Sequence, residues 1–166
     1  MGISIRDSSG SAAHTGSSTP ADSATVSRLV DYAWFLHYVR RDYDRAEAMY
    51  EWVIIADPNN ANNLGKYALF LVIVRRDYDR AETMYERAIA ADPNNAHNLG
   101  NYAWFLENVR RDYDRAETMY ERAITADPNN AHNLGNYANF LKNVRHDYDR
   151  AEEMYERAVE VDLNHG

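Results

Sequence analysis

The sequence predicts an all-α protein built as a solenoid of four helix–turn–helix repeats. The phrase Arg-Asp-Tyr-Asp-Arg-Ala-Glu begins at Arg41, Arg76 and Arg111 and returns at His146 with only its first residue changed, so the period is 35 residues. Each period contains two stretches of apolar residues at helical spacing, separated by polar breaks. Such self-similarity is typical of a solenoid in which each unit buries its apolar face against its neighbours.

Four repeats follow a short N-terminal segment. The period places the repeats at residues 26–60, 61–95, 96–130 and 131–165. Residues 1–25 consist largely of Ser, Thr, Ala and Gly, so we expect a flexible segment that cannot bury enough apolar surface to order itself. This segment lacks a basic start followed by an apolar stretch, and no window of the chain is apolar enough to cross a bilayer. We therefore expect neither a secretory signal nor a membrane span.

The first helix of each repeat is amphipathic, as the third repeat illustrates. The run Asp-Pro-Asn-Asn at residues 92–95 ends the previous helix, because Pro cannot extend a helix and Asn is a favoured N-cap for the next one. The polar run at residues 110–112 is expected to end the new helix. Between these breaks, the apolar residues at helical spacing are Leu99, Tyr102, Ala103, Leu106 and Val109.

The second helix of each repeat opens after that polar run. Asp114, followed three residues later by Glu117, fits an acidic variant of the capping box, which predicts that Asp114 caps this helix. The apolar side of the helix carries Ala116, Met119, Tyr120, Ala123 and Ile124. Two helices joined by a short turn form a hairpin, and the period repeats this hairpin four times.

The repeats resemble the tetratricopeptide repeat family over residues 26–165, through small and aromatic residues at matching places. These are Ala33, Ala68, Ala103 and Ala138 in the first helices; Ala46, Ala81, Ala116 and Ala151 in the second; Tyr50, Tyr85, Tyr120 and Tyr155 four residues on; then Val53, Ala88, Ala123 and Ala158. Pro58, Pro93 and Pro128 close three repeats, and Leu163 stands in that place in the fourth. The resemblance implies a right-handed superhelix whose concave face, formed by the first helices, holds a peptide or protein segment.

The repeats depart from the family in two respects. Their period is one residue longer than the family's thirty-four, and the pair Leu64-Gly65 lies three residues earlier than the family's Leu-Gly. The phrases Tyr-Ala-x-Phe-Leu and Tyr-Glu-Arg-Ala also resemble half-a-tetratricopeptide repeats, so an RNA-associated repeat protein is an open alternative. A row of Arg residues could touch phosphates, but Asp residues follow each Arg pair closely, which favours local salt bridges.

The resemblance assigns residues of all four repeats to the concave face, which we call the groove. They are Val30, Trp34, His37 and Tyr38 in the first repeat, Leu69, Val72 and Ile73 in the second, Trp104, Glu107 and Asn108 in the third, and Asn139, Lys142 and Asn143 in the fourth. An alternative places Trp34, Leu69 and Trp104 in the core, although Asn139 at the matching place of the fourth repeat argues against it. A groove that is half apolar predicts a second possible function, a peptide-binding adaptor for a different protein.

Apolar residues also mark the two ends of the repeat array. Trp52 and Ile55 stand where the second repeat has Arg87 and Ala90, and an exposed apolar pair usually contacts another surface. The N-terminal segment folding back over this pair is the alternative. No polar capping helix separates the fourth repeat from Gly166, and the residues that stay apolar there are Met154, Tyr155 and Val159.

These ends predict head-to-tail association of copies into a homo-oligomer, or into a filament when the rotation does not close a ring. Ile3 and Ile5 of the N-terminal segment could then lie in a neighbour's groove. The partner is thus expected to be protein: another copy, a peptide segment of a different protein, or both.

Composition excludes several other functions. The chain has no Cys and a formal net charge of −8, which argues against thiolate chemistry and against general binding to nucleic acids. His97 and His132 lie one full repeat apart instead of at a metal-ligand spacing. No nucleophile elbow, phosphate-binding Gly loop or Ser/His/Asp arrangement is present. We therefore expect no metal, no cofactor and no enzymatic activity.

Overall fold

A computed structural model describes residues 22–164, which form helices joined by short turns and contain no strand. The α-helices of this part of the chain are α1 (Ser23–Phe35), α2 (Tyr43–Ala56), α3 (Ala61–Phe70), α4 (Tyr78–Ala91), α5 (Ala96–Phe105), α6 (Tyr113–Ala126), α7 (Ala131–Phe140) and α8 (Tyr148–Asn164). Each odd-numbered helix packs on the even-numbered helix that follows it, and α5 also packs on α3 and α7. The predicted all-α solenoid of four hairpins is thereby confirmed.

The first helix of every repeat ends in a π-helical turn. These turns span Leu36–Arg40, Leu71–Arg75, Leu106–Arg110 and Leu141–Arg145. The next residue is left-handed: Arg41, Arg76, Arg111 and His146 have φ between 54° and 58°. A π turn holds one residue more than an α turn. It therefore accounts for the period of 35 residues, one longer than the family's usual length.

Short polar side chains begin the helices. Asn60, Asn95 and Asn130 accept from backbone N–H groups of the first turns of α3, α5 and α7, as expected for Asn caps. The predicted cap at Asp114 is wrong. Asp112 caps α6 instead, because its side chain accepts from the N–H of Arg115 at 3.3 Å, and Asp114 lies inside the first turn.

Small residues allow the helices to approach closely. Ala33, Ala68, Ala103 and Ala138 in the first helices are completely buried, as is Ala81 in the second. The matching aromatic residues Tyr50, Tyr85 and Tyr120 lie in the same core and are almost completely buried. Because each repeat contributes the same core residues, one continuous core extends through the four hairpins.

The boundaries differ from the sequence prediction at both ends of the array. Helix α1 begins at Ser23, because Asp22 accepts from the N–H of Thr25 at 2.7 Å, so residues 23–25 belong to a helix and not to a flexible segment. Ile3 and Ile5 lie outside the described residues. Helix α8 has 17 residues where α6 has 14, since Leu163 replaces the closing Pro of the earlier repeats.

Candidate functional site

Three surfaces of the solenoid can meet a partner, and one of them is the groove predicted above. The first-repeat face is the outer side of the first repeat, and the fourth-repeat face is the outer side of the fourth. We define the first-repeat face by Tyr32, Phe35, Arg40, Arg45, Trp52 and Ile55. We define the fourth-repeat face by Tyr148, Asp149, Glu152, Tyr155, Glu156, Val159 and Leu163.

Part of the predicted groove is exposed. Trp34, Tyr38, Ile73, Trp104 and Asn108 are open to solvent, so Trp34 and Trp104 are not core residues. Half-buried Leu69 lies with Trp34 and Tyr38 in a pocket of about 140 Å³ between the first two repeats. The other residues lining this pocket are Val30, His37, Tyr50, Lys66 and Phe70.

Four other predicted groove residues lie between helices. Val30 is buried in a small cluster with Val53, because the first repeat has Val at places where later repeats have Gly and Ala. His37 and Val72 are buried, and Glu107 is half-buried. All three occupy the same place, the second residue of the π-helical turn, at which Lys142 of the fourth repeat is exposed.

Two of the four residues at this place, Glu107 and Lys142, contact the core Tyr of their own repeat. Tyr120 donates to Oε2 of Glu107 at 2.7 Å, and burial raises the pKa of the Glu107 carboxyl. In the fourth repeat the Nζ of Lys142 lies 5.6 Å from the ring centre of Tyr155, whose hydroxyl donates to Asn139. Burial also lowers the pKa of His37.

Aromatic rings contribute to each contact between neighbouring repeats, which we call a junction. Tyr67 and Phe70 of α3 lie against Tyr50 of the preceding repeat, with ring centres 5.8 and 5.2 Å apart. The same three rings recur at the next two junctions, as Tyr102 and Phe105 on Tyr85, and as Tyr137 and Phe140 on Tyr120.

Ion pairs also contribute to each junction. Arg75 contacts Asp44 at 2.7 Å and Glu47 at 2.6 Å, and Arg80 contacts Glu47 and Glu51, each at 2.9 Å. The next junctions repeat this set, as Arg110 and Arg115 with Asp79, Glu82 and Glu86, and as Arg145 and Arg150 with Asp114, Glu117 and Glu121.

The partners of these Arg residues differ from the prediction. Arg75, Arg110 and Arg145 pair with acidic residues of the preceding repeat, not with the Asp residues that follow them in sequence. Their guanidinium groups are therefore engaged within the protein. This arrangement gives no support to phosphate binding by this row of Arg residues.

Among residues 22–164, no preceding repeat covers the first-repeat face, so this face exposes the residues that a following repeat contributes to a junction. Phe35 is 43% exposed, whereas Phe70 at the same place in the second repeat is 1% exposed. Tyr32 is also exposed, and Arg45 donates to its hydroxyl as Arg80 does to that of Tyr67. Tyr32, Phe35 and Arg45 were not predicted as site residues, and Arg40 was predicted only as a member of the row of Arg residues, although the recurrence of all four in every repeat was the available signal.

Trp52 lies on the same side of the first repeat. At the matching place in the second repeat, Arg87 donates to the carbonyl oxygen of Pro58 in the preceding repeat at 3.0 Å, and Arg122 does the same to Pro93 at 3.1 Å. The place that Trp52 occupies therefore faces a preceding repeat. Trp52 is 61% exposed and Ile55 is 75% exposed.

The fourth-repeat face exposes the residues that a preceding repeat contributes to a junction. Asp149, Glu152 and Glu156 occupy the places of Asp114, Glu117 and Glu121, and all three are exposed. Tyr148, Val159 and Leu163 are exposed as well, and a pocket of about 440 Å³ lies beside Tyr155 and Val159. Met154, which was predicted to take part in association, is buried in the core, because its side chain turns inward on α8.

Two features are absent from residues 22–164. None of their helices combines the length and the apolar composition needed to cross a bilayer. Nor do these residues bring together three or more His, Cys, Asp or Glu side chains in a group that could hold a metal ion.

Sequence comparison relates the repeats to one family. Two family models, each described as a tetratricopeptide repeat, match residues 73–131 and 119–153. A comparison with curated proteins found no significant match.

Structure comparison gives the same fold. MamA from Desulfovibrio magneticus RS-1 has a TM-score of 0.69 at 17% identity, over 84% of this chain and 76% of that one. PilF from Pseudomonas aeruginosa has a TM-score of 0.71 at 20% identity, over 84% of this chain and 62% of that one. BtubC from P. vanneervenii has a TM-score of 0.70 at 20% identity, over 84% of this chain and 64% of that one.

Proposed function

Because this chain belongs to the tetratricopeptide repeat family, whose members are generally non-catalytic scaffolds for protein interaction, we propose that it associates head to tail with copies of itself. The first-repeat face of one copy would meet the fourth-repeat face of the next. These two faces are different surfaces, so the contact is heterologous. Such a contact forms a ring when the rotation closes and a filament when it does not.

The observation that carries this proposal is the apolar surface exposed at both ends of the array. On the fourth-repeat face, Val159 is 57% exposed and Leu163 is 77% exposed, four residues apart on α8. Val159 occupies the place of Ile124, which packs on the core. On the first-repeat face, Trp52 and Ile55 are exposed to a similar degree. Covering these side chains would remove apolar area from water, which favours association.

The test is the molar mass of the full chain, measured by multi-angle light scattering from about 1 to 100 µM, the range of a moderate association. We expect the mass to rise with concentration. Trp52→Ser and Val159→Ser, which remove an exposed apolar side chain from each face, should each reduce the rise. Glu153→Ser, at an exposed place on α8 outside the fourth-repeat face and the groove, is the control and should leave it unchanged. A monomer at every concentration would contradict the proposal.

The N-terminal segment supplies a second contact in this proposal. Ile3 and Ile5 are large apolar residues in a segment otherwise rich in small and polar ones, and they could reach the groove of a neighbouring copy. The double variant Ile3→Ser, Ile5→Ser should then weaken association of the full chain. An unchanged concentration dependence would remove this contact from the proposal and leave the head-to-tail contact standing.

A peptide-binding adaptor is the second candidate function, and the pocket between the first two repeats favours it. The ring centres of Trp34 and Tyr38 lie 4.9 Å apart, and both side chains line this pocket together with Leu69 and Lys66. Such a pocket suits an apolar side chain that is followed by an acidic group. Selection from a random peptide library on the immobilised chain should enrich such sequences. Their binding should be lost in Trp34→Asn and kept in Trp52→Arg.

A further inference from the structure

The two end faces of this chain carry the two complementary halves of its own inter-repeat junction. Every internal junction joins a Tyr, a Phe and two Arg of the following repeat to a Tyr and three acidic residues of the preceding repeat. On the first-repeat face, the residues at the places of the following repeat are Tyr32, Phe35, Arg40 and Arg45. On the fourth-repeat face, the residues at the places of the preceding repeat are Asp149, Glu152, Tyr155 and Glu156.

Exposure distinguishes these terminal halves from their internal counterparts. The side chain of Glu117 is 19% exposed where Arg145 and Arg150 cover it, whereas Glu152 at the same place is open to solvent. The side chain of Arg45 is 63% exposed, compared with 45% for Arg115 at an internal junction. The first-repeat face carries positive charge at Arg40 and Arg45, and the fourth-repeat face carries negative charge at Asp149, Glu152 and Glu156, so the faces are complementary in charge.

Resting on the head-to-tail association proposed above, we propose that the first repeat of a second copy docks on the fourth repeat in the register of a fifth repeat. Arg40 of the second copy then pairs with Asp149 and Glu152. Arg45 pairs with Glu152 and Glu156. Tyr32 and Phe35 of the second copy pack on Tyr155, as Tyr137 and Phe140 pack on Tyr120 within the chain.

Gly135 gives this register a steric signature. A Cβ atom at Gly100 would lie 2.1 Å from Oδ1 of Asn133 in the following repeat, whereas a Cβ atom at Gly135 meets nothing within 4 Å. Gly135 therefore faces the place that a following repeat would fill. In the docked pair, Arg28 of the second copy takes the place of Asn133, and Trp52 takes the place of the Arg that donates to a carbonyl oxygen of the preceding repeat.

Charge variants of the full chain test the register by sedimentation velocity. Glu152→Arg and Arg45→Glu should each weaken association by about tenfold or more, because like charges would face each other. Glu153→Arg makes the same charge change one residue away, at a place that is Thr118 in the third repeat, and should have little effect. An equimolar mixture of Glu152→Arg and Arg45→Glu should recover association, because the unmodified faces match each other and the introduced Arg and Glu have opposite charges.

A steric variant provides an independent measurement. Gly135→Leu should fold normally, since the structure leaves space there, and it should abolish association. Its fold is checked by circular dichroism. If the chain associates but Glu152→Arg behaves like Glu153→Arg and Gly135→Leu still associates, the fifth-repeat register is overturned and head-to-tail association survives. If the unmodified chain remains a monomer, both proposals are overturned.

Discussion

The hydroxyl of Tyr120 donates to Oε2 of Glu107 at 2.7 Å, whereas the hydroxyl of Tyr85 at the same place in the second repeat has no partner among the described residues. The difference follows from one substitution, because Val72 occupies the place of Glu107 in the second repeat. Tyr85 and Val72 share the hydrophobic core, where a polar group without a partner is costly. Two nearly identical repeats thus place the same side chain in opposite energetic situations.

Tyr85→Phe is therefore expected to raise the free energy of unfolding. The variant removes a buried hydroxyl that has no hydrogen-bond partner among the described residues. Removing it should stabilise the folded state by about 1 kcal/mol. Tyr120→Phe is the matched control and is expected to lower the free energy of unfolding by about 1–2 kcal/mol, because Glu107 then loses its donor. Urea unfolding followed by circular dichroism measures both. Equal changes in the two variants would contradict this account.

The buried carboxyl of Glu107 predicts a pH dependence of stability. Burial raises its pKa above the ordinary value of 4.5, so the folded state binds this proton more tightly than the unfolded state. Its contribution to stability is fully present below the unfolded-state pKa and is lost as the pH rises through the raised folded-state pKa. Glu107→Gln keeps an acceptor for Tyr120 but cannot ionise.

The difference in unfolding free energy between Glu107→Gln and the unmodified chain should therefore grow in favour of the variant as the pH rises above 4.5. Urea unfolding at a series of pH values measures it. Glu153→Gln, at an exposed place on α8, is the control and should show a nearly flat difference. A flat difference for Glu107→Gln as well would show that burial does not perturb this carboxyl.

The glycines of the first helices predict opposite effects of the same substitution. Asn133 donates to the carbonyl oxygen of Ala96 at 2.9 Å and lies against Gly100, where a Cβ atom would come within 2.1 Å of it. Gly100→Ala should therefore lower the free energy of unfolding by about 1–3 kcal/mol, through a steric clash and a strained hydrogen bond.

Gly135→Ala is the matched control. No atom lies within 4 Å of the added methyl group, and Ala is favoured over Gly in a helix by up to about 1 kcal/mol. We expect this variant to be more stable than the unmodified chain, in urea unfolding at a concentration low enough to keep the chain monomeric. A loss of stability in Gly135→Ala would show that the place is filled.

Recurrence in the sequence was sufficient to predict the hairpins and the buried Ala and Tyr residues, because repeats with the same apolar places bury them against one another. It was not sufficient for features decided by backbone geometry. Asp112 and Asp114 are both acceptable caps by residue type, and only the path of the chain after the π turn selects Asp112.

Contacts between repeats were also beyond reach of the local pattern. Arg110 has two Asp residues close by in sequence, yet it pairs with Asp79 and Glu82, about one repeat earlier. His37 and Glu107 are partly or fully buried within π turns, which no periodicity of a regular α-helix predicts. These are the residues for which the predicted groove and the structure differ.

The left-handed residue after each π turn gives a final prediction. Arg76 has φ of 54° and follows Arg75, which carries the ion pairs to the preceding repeat. A side chain with a Cβ atom is strained in this conformation by about 1 kcal/mol, and Gly is not. Arg76→Gly should therefore raise the free energy of unfolding by up to about 0.5 kcal/mol, because the greater entropy of Gly in the unfolded chain offsets part of the relieved strain.

Arg76→Ala separates the backbone effect from the loss of charge. Ala keeps the strained φ and removes the guanidinium, so we expect it to be no more stable than the unmodified chain. Urea unfolding of the two variants side by side measures the difference between them, which should favour Gly. If Ala were as stabilising as Gly, the gain would come from removing positive charge near Arg75, and the left-handed turn would not be the source of strain.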